Sequence, residues 1–559
     1  MKQYKLYIGA LLMLVITASS CSKFLDITPK DAQDQDTIFG NSTGARQSLM
    51  GIYELLRNDN LDWQAMPQAL TADVMSDDVY TGGANSTDML GWQQMQRFDA
   101  RAVSQQGEKT WKKCYVGIQR ANILLSNYDK IEFKSNEEDI KSFYEGEAIF
   151  LRAHYYFEVL RLFENIPLIK ETLGIDDWED VVQASPEESY AFVAKEILEA
   201  IPLMSNELPE NELGRLTKYA AKAELLKIFM FYTGVYNKST LPVEDGADFT
   251  IQDAIKMADE IITNSGAYLS PSYADLFNEN GNYNPEVLFE IPFANTGTGD
   301  WSHHKLGNYQ CTMAGPRGHN SDILAQGWGF GGPSRELEAL FTADDVRKAS
   351  TIMYAKDLVD EEYRVFTSNP DNDPADFSPS LEAHYTFTGM FTYKYTTHAY
   401  RRTDNGTPEL NYDQNYHYIR LADIYLIGAE LYLQAGNQGK ADEYVNMIRN
   451  RAGLASKSGV TLDDIYLERR LELAMEGHRY FDVIRRGSGY ADQELTVTNY
   501  ELAPPTHDDP IYIRNNQNLT GDVGVPSDYE VPFNWTRKFL PIPQRELDLN
   551  AGFKQNDGY

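Results

Sequence analysis

The stretch that decides the fold is Tyr418–Leu454, YIRLADIYLIGAELYLQAGNQGKADEYVNMIRNRAGL. Tyr418, Leu421, Ala422, Tyr425, Leu426, Ala429 and Leu433 recur at the three- and four-residue steps of one helix face. Gly436-Asn437 then stops the helix, because glycine reaches the backbone conformation that closes a helical turn. Ala441, Tyr444, Val445, Ile448 and Ala452 repeat the stripe, and Gly453 ends it. Two apolar stripes separated by a short turn predict an antiparallel helix hairpin, with alanines where the two backbones must come close.

The same design recurs along the chain. Helices are expected at Ala45–Arg57, at Lys109–Asn127 with Trp111, Tyr115, Ile118, Asn122 and Leu125 on one face, and across the aromatic run Phe143–Phe163. Pro186-Glu187-Glu188 opens another helix and Pro202 closes it. Lys218–Tyr236 and Ile251–Asn264 follow, each with one apolar stripe. The Tyr/Leu/Ala spacing is similar to that of tetratricopeptide units, although the steady period of about 34 residues is absent. Roughly four such pairs, spread over about 45–265 and 416–486, predict a mainly α scaffold. A generic helical bundle is the alternative. Residues 266–412 are different: Asn, Gly, Pro, Ser and Asp are frequent, and only short strand-like runs stand out, at Val287–Pro292 and Thr386–Tyr395. They read as a loop-rich, mostly irregular insertion, the kind of segment in which binding sites are built. Residues 487–559 read as C-terminal loops and a tail, so 45–559 form one body.

The N-terminus speaks to location. Lys2 and Lys5 precede the apolar run Leu6–Ile16, and Thr17-Ala18-Ser19-Ser20 leads to Cys21. This is a secretory signal over residues 1–20, too short for a comfortable membrane span. Its cysteine stands where a lipobox places the lipidated residue. Residues 21–44 are then a lipidated start and linker, and the lipid on Cys21 is the expected membrane attachment.

The formal net charge is −33, from 83 acidic and 50 basic side chains, which argues against a nucleic-acid partner. With 36 Tyr, 25 Phe and 7 Trp, the acidity does not signal disorder. Cys114 and Cys311 are far apart in sequence, and two buried free thiols are favoured over a disulfide.

Signatures of catalysis are missing: HExxH, GxSxG, GxxxxGK[ST] and GxGxxG do not occur. His303-His304 is adjacent rather than four residues apart, a poor metal face. Asp371, Asp373 and Asp376 hint at a structural calcium ion, without the glycine and closing glutamate of an EF-hand, and no other cofactor is indicated. Glu468, Glu472 and Glu476 interleaved with Arg469, Arg470 and Arg479 read as a solvated or ion-paired helix. What stands out is aromatics in loops. Asp77-Asp78-Val79-Tyr80 leads through Gly82-Gly83 to Trp92, and the insertion adds Trp301, His303, His304, Tyr309 and Trp328. A sugar ring offers a C–H face and a rim of hydroxyls, so a glycan site needs flat aromatic platforms bordered by polar side chains. Trp328, between Gly327 and Gly329, reads as the most structural of these rings.

Four segments carry a wider resemblance: Tyr418–Leu433, Asn446–Leu454 (NMIRNRAGL), Leu467–Arg485 (LERRLELAMEGHRYFDVIR) and Phe539–Tyr559 (FLPIPQRELDLNAGFKQNDGY). With the lipobox, Phe24-Leu25-Asp26 and Pro29, they resemble the SusD/RagB family of outer-membrane nutrient-binding lipoproteins. The resemblance implies four tetratricopeptide-like pairs with an irregular, loop-rich half. It also implies exposure on the outside of the outer membrane and a SusC-like TonB-dependent transporter as partner. Oligosaccharide capture without catalysis is the implied activity, with peptide binding in RagB-like members, or a transporter scaffold without its own ligand, as rivals. It places an aromatic platform in variable loops near the front of the chain and in the insertion. On that basis Tyr80, Trp92 and Trp301, with Asp78 and Tyr309, are the expected ligand-binding residues, and Arg317 and Asn320 are expected to bind sugar hydroxyls.

Overall fold

The computed structural model describes residues 38–57, 68–174, 177–208, 212–301, 306–497 and 531–559. The signal, Cys21, most of the linker, His303-His304 and most of the C-terminal loops lie outside the described residues.

The scaffold is a continuous array of helices: α1 (Ser42–Arg57), α2 (Gln105–Ser126), α3 (Glu138–Phe163), α4 (Pro186–Ala200), α5 (Lys218–Val235), α6 (Ile251–Asn264), α7 (Leu421–Gln434) and α8 (Gln438–Arg451). From α2 to α8 each packs on the next, and α1 packs on both α2 and α3. The step from α6 to α7 crosses the whole insertion, so the first helix of that contact comes from the front of the chain and the second from its last third. The sequence explains the ends. Ser185 accepts from the Glu188 amide and Glu188 reaches back to Ser185, with Pro186 in the first turn of α4. Thr250 and Asp253 form the same reciprocal cap on α6. Close packing relies on missing side chains. A Cβ on Gly117 of α2 would sit 2.4 Å from the Tyr155 ring of α3, and one on Gly428 of α7 would sit 2.9 Å from the Tyr444 ring of α8.

Short strands tie the insertion to the rest of the chain and, in one pair, to itself. β1 (Val79–Gly82) pairs antiparallel with β3 (Phe330–Pro333), β2 (Val287–Ile291) with β6 (Tyr416–Arg420), and β4 (Ile352–Tyr354) with β5 (Met390–Thr392). Cys114 and Cys311 are free and buried.

The largest surprise lies beyond α8. Helices α9 (Leu462–Glu472) and α10 (Arg479–Arg485) carry the alternating Glu/Arg pattern, and those side chains are ion-paired but not solvated. Arg420 donates to Glu286 (2.7 Å), Glu472 (2.9 Å) and Glu476 (2.8 Å), all buried. Arg347 bridges Asp345 and Glu468, and Arg451 reaches Glu286 and Glu472. Lys394 donates to Glu476 at 2.7 Å. Burial alone would raise the Glu472 carboxyl, but Arg451, Arg420 and Arg347 outweigh it and hold it far below the usual carboxylate range. Lys394 is lowered to about 8, burial outweighing the attraction of Glu476. These pairs join the insertion to the last third of the chain. They fix the insertion against the helices.

Candidate ligand-binding site

The front-of-chain candidates turn inward. Tyr80 is not a loop residue: β1 begins at Val79, just after Asp78, and Tyr80 lies opposite Gly332 of β3. Asp78 is buried and accepts from Arg470 at 2.6 Å, while its neighbour Asp77 takes Arg479 at 2.8 Å. Tyr80 is buried too. Trp92, in the short helix Leu90–Gln96, is 0% exposed and meets the Phe330 ring edge-on, centroids 5.3 Å apart. A ring with no exposed face cannot stack on a sugar, so Trp92 is a core residue. Asp78 and Tyr80 are, with it, part of the frame and not of a binding surface.

The insertion does present aromatic surface. Trp301 is 38% exposed, and its ring lies nearly parallel to that of Trp328, centroids 6.0 Å apart and planes 16° apart. Tyr309, buried, stands edge-on to both, at 6.2 Å and 87° to Trp301 and at 5.7 Å and 79° to Trp328. Two parallel indoles braced from the side by a phenol make a platform whose geometry is fixed by its own ring contacts.

Local chemistry sets these rings in place. Tyr309 starts the short helix Tyr309–Ala314, whose Asn308 cap accepts from the Gln310 amide. Asn308 is itself held by its amide donating to the Tyr412 carbonyl at 2.7 Å and its side chain to the Gln414 carbonyl at 2.8 Å. The Trp328 amide donates to the Thr312 carbonyl at 2.8 Å, tying the second indole to that helix. Gly327 lets its segment run against Gly315: a Cβ there would sit 2.4 Å from Gly315 backbone. The glycines around Trp328 are thus the structural residues, and the half-buried ring between them belongs to the platform. Reading the Gly-Trp-Gly run as a single structural unit hid this.

Arg317 borders the platform. It donates to Glu382 at 3.1 Å and to the Trp328 carbonyl at 3.4 Å. Asn320 is exposed, and no hydrogen bond among the described residues joins it to the platform.

A second ledge was not expected. Tyr400 is 50% exposed and stacks on His398, centroids 5.2 Å apart and planes 21° apart, and His398 meets Tyr393 edge-on. The Ala325 amide donates to the Thr397 carbonyl at 2.8 Å, so this ledge is stitched to the segment that ends in Trp328. Burial lowers His398 to about 4, leaving it neutral under Tyr400. The signal for it was Tyr400 beside His398 in a loop-rich stretch, a pattern no spacing rule singles out.

Among the described residues, two groups of acidic and histidine side chains converge closely enough to share an ion: His154, Glu158 and Glu224, and Asp77, Glu336 and Glu494. The second is already occupied by Arg470 and Arg479. Asp371, Asp373 and Asp376 are not among these groups, and Asp373 instead caps the turn Pro374–Asp376.

Comparison with known proteins places the chain. Residues 285–559 match the model of the SusD family, and residues 23–230 match a related model described as starch-binding, associating with outer membrane. The chain belongs to the SusD family. A SusD-like protein of Formosa agariphila, P25, is 25% identical over 97% of both chains. A SusD-like protein of Bacteroides ovatus is 25% identical, covering 89% of this chain and 84% of the relative. Among solved structures, a laminarin-binding SusD-like protein superposes with a TM-score of 0.73 at 27% identity, over 93% of this chain and 100% of its own. The surface glycan-binding protein A of Bacteroides thetaiotaomicron, solved with laminarihexaose, gives 0.73 at 26% identity, over 92% and 99%.

Proposed function

We propose that this protein is a cell-surface lipoprotein that captures an oligosaccharide and hands it to a TonB-dependent outer-membrane transporter. The observation that carries the reading is the Trp301–Trp328 pair: two parallel indoles, one of them open to solvent, braced by Tyr309. Such a surface takes the C–H face of a sugar ring. Arg317 at its border supplies donors for hydroxyls if it turns from Glu382. The Tyr400 ledge offers a place for a chain longer than the first platform holds.

The glycan-binding relatives support this reading, and laminarin is the first ligand to try because two similar structures carry it or its hexasaccharide in their names. Anchoring through Cys21 keeps the body in water beside the membrane. No step in this reading breaks a bond.

The test is a calorimetric titration of the full-length chain with laminarihexaose and with a panel of other oligosaccharides, repeated on Trp301→Ala. Saturable binding that the variant loses supports capture at the platform. Binding of cationic peptides in place of every glycan would move the chain to the peptide-binding reading.

A further inference from the structure

A cleft of about 330 Å³ opens between α2, residues 169–173 with Trp178, and the C-terminal helix α11 (Gln544–Leu549). None of its lining residues belongs to the aromatic platform or to the Tyr400 ledge. Its size falls in the lower range of small-ligand sites.

The walls are aromatic. Trp111 and Tyr115 come from successive turns of α2, with ring centroids 4.9 Å apart. The Tyr115 hydroxyl donates to the Pro167 carbonyl at 2.8 Å, so its polar end is satisfied and the ring serves as wall. Trp178 closes another side, braced edge-on by Phe553 at 5.5 Å. Leu173 and Leu549, both exposed, form an apolar lip.

The charges in the cleft are unbalanced in one place. Glu108, Glu171 and Glu546 line it, against Lys112 and Arg545. Arg545 is held by Glu108 at 3.7 Å, and Lys112 lies on the exposed side of α2. Glu546 is half-buried, and its carboxylate makes no hydrogen bond or ion pair with any described residue. Burial raises its carboxyl above the usual range, Arg545 lowers it and Glu108 raises it further. A half-buried carboxylate beside aromatic walls is a place where a cation would be held from both sides, by charge and by ring faces.

We propose that this cleft is a second binding site, selective for a protonated amine or guanidinium carried on an apolar stem. The stem would lie against Trp111, Tyr115 and Leu173, and the cationic head would meet Glu546. The head belongs either to a free amine or to a lysine or arginine side chain of a polypeptide. The site is independent of the glycan platform.

The experiment is calorimetric titration of the full-length chain with phenethylammonium, with Nα-acetyl-arginine amide and with neutral 2-phenylethanol. At least one cation binds, and 2-phenylethanol binds at least about tenfold more weakly. A preference for phenethylammonium assigns the site to free amines, and a preference for the arginine derivative assigns it to polypeptide side chains. Glu546→Gln weakens the preferred cation at least about fivefold with an unchanged melting curve. Trp178→Ala, on another wall, weakens it in the same sense, and Trp301→Ala leaves it unchanged. The proposal is overturned if neither cation binds, if the neutral alcohol binds as well as the cations, or if both Glu546→Gln and Trp178→Ala bind like the parent.

Discussion

Two regions of this molecule hold most of its unusual side chains, and they are built in opposite ways. Around α9 and α10, charged residues are buried. Arg347, Arg420, Arg451, Arg469 and Arg470 each meet at least two buried carboxylates. In the insertion, an aromatic platform faces solvent, and its contacts are between rings. The first region shows strongly shifted carboxyls held by buried arginine partners; the second shows ring surface open to solvent. Perturbed ionisation is commonly a pointer to function. Here it marks the joint that holds the insertion to the helices, and the surface proposed to meet a ligand is marked by exposure.

The contrast is broken most forcefully at Arg420. Arg420→Ala leaves Glu286, Glu472 and Glu476 buried around a missing partner, and unfolding free energy falls by about 3–5 kcal/mol. Denaturant unfolding followed by circular dichroism measures this. A loss below about 1 kcal/mol would mean that the network is weakly coupled to the fold. Trp92→Ala, which empties a fully buried site in the packed frame, costs about 3–5 kcal/mol by the same measurement.

Acid sharpens the comparison. His384 and His398 are buried, and burial lowers each to about 4. Both are neutral in the fold. The unfolded chain therefore binds more protons between about pH 6.5 and 4, and stability falls as pH drops, by up to about 3 kcal/mol for each histidine. Glu147, pushed up to about 7 by burial against the pull of Arg215, acts in the opposite sense between about pH 7 and 4.5. The difference between the parent and His384→Gln isolates the histidine: the parent loses its advantage, or gains a deficit, as pH falls through that window. The Glu472 carboxyl is held low, so its contribution stays intact until pH drops below about 4.5. Parallel pH profiles for parent and variant would show that His384 titrates normally.

The smallest stability effect is expected on the platform itself. Trp301→Ala changes unfolding free energy by no more than about 1 kcal/mol, because the ring is partly in water before it is removed. Tyr400→Ala behaves likewise, and weakens only the longer oligosaccharides if the ledge extends the site.

Much of the scaffold was legible in the sequence. Helical stripes carry their period in a short window, and α6 begins and ends where its pattern does, at Ile251 and Asn264. Strand β2 matches the run at Val287 within one residue. The ionic joint was not legible, because its partners are remote: Asp77 and Arg479 are 402 positions apart. A local Glu/Arg alternation looks the same on a wet helix and in a buried network, and only the tertiary partners decide. The same limit explains Trp92 and Trp301. Both stand in loop-like stretches, but β1 pairs with β3 and draws the first inward, while the second keeps 38% of its surface exposed. For Trp328 the flanking glycines concealed the answer, since Gly327 serves the backbone approach to Gly315 and Gly329 takes a left-handed φ of +73° against His384, and both leave the ring available.

The most direct test of this account measures binding and stability on the same two variants, Trp301→Ala and Trp328→Ala, titrating whichever oligosaccharide the parent chain binds. The account predicts affinity lower by at least about tenfold, near 1.4 kcal/mol, in each variant, with the unfolding curve of Trp301→Ala close to that of the parent. Parent-like affinity in both variants would contradict it and place the glycan elsewhere on the molecule.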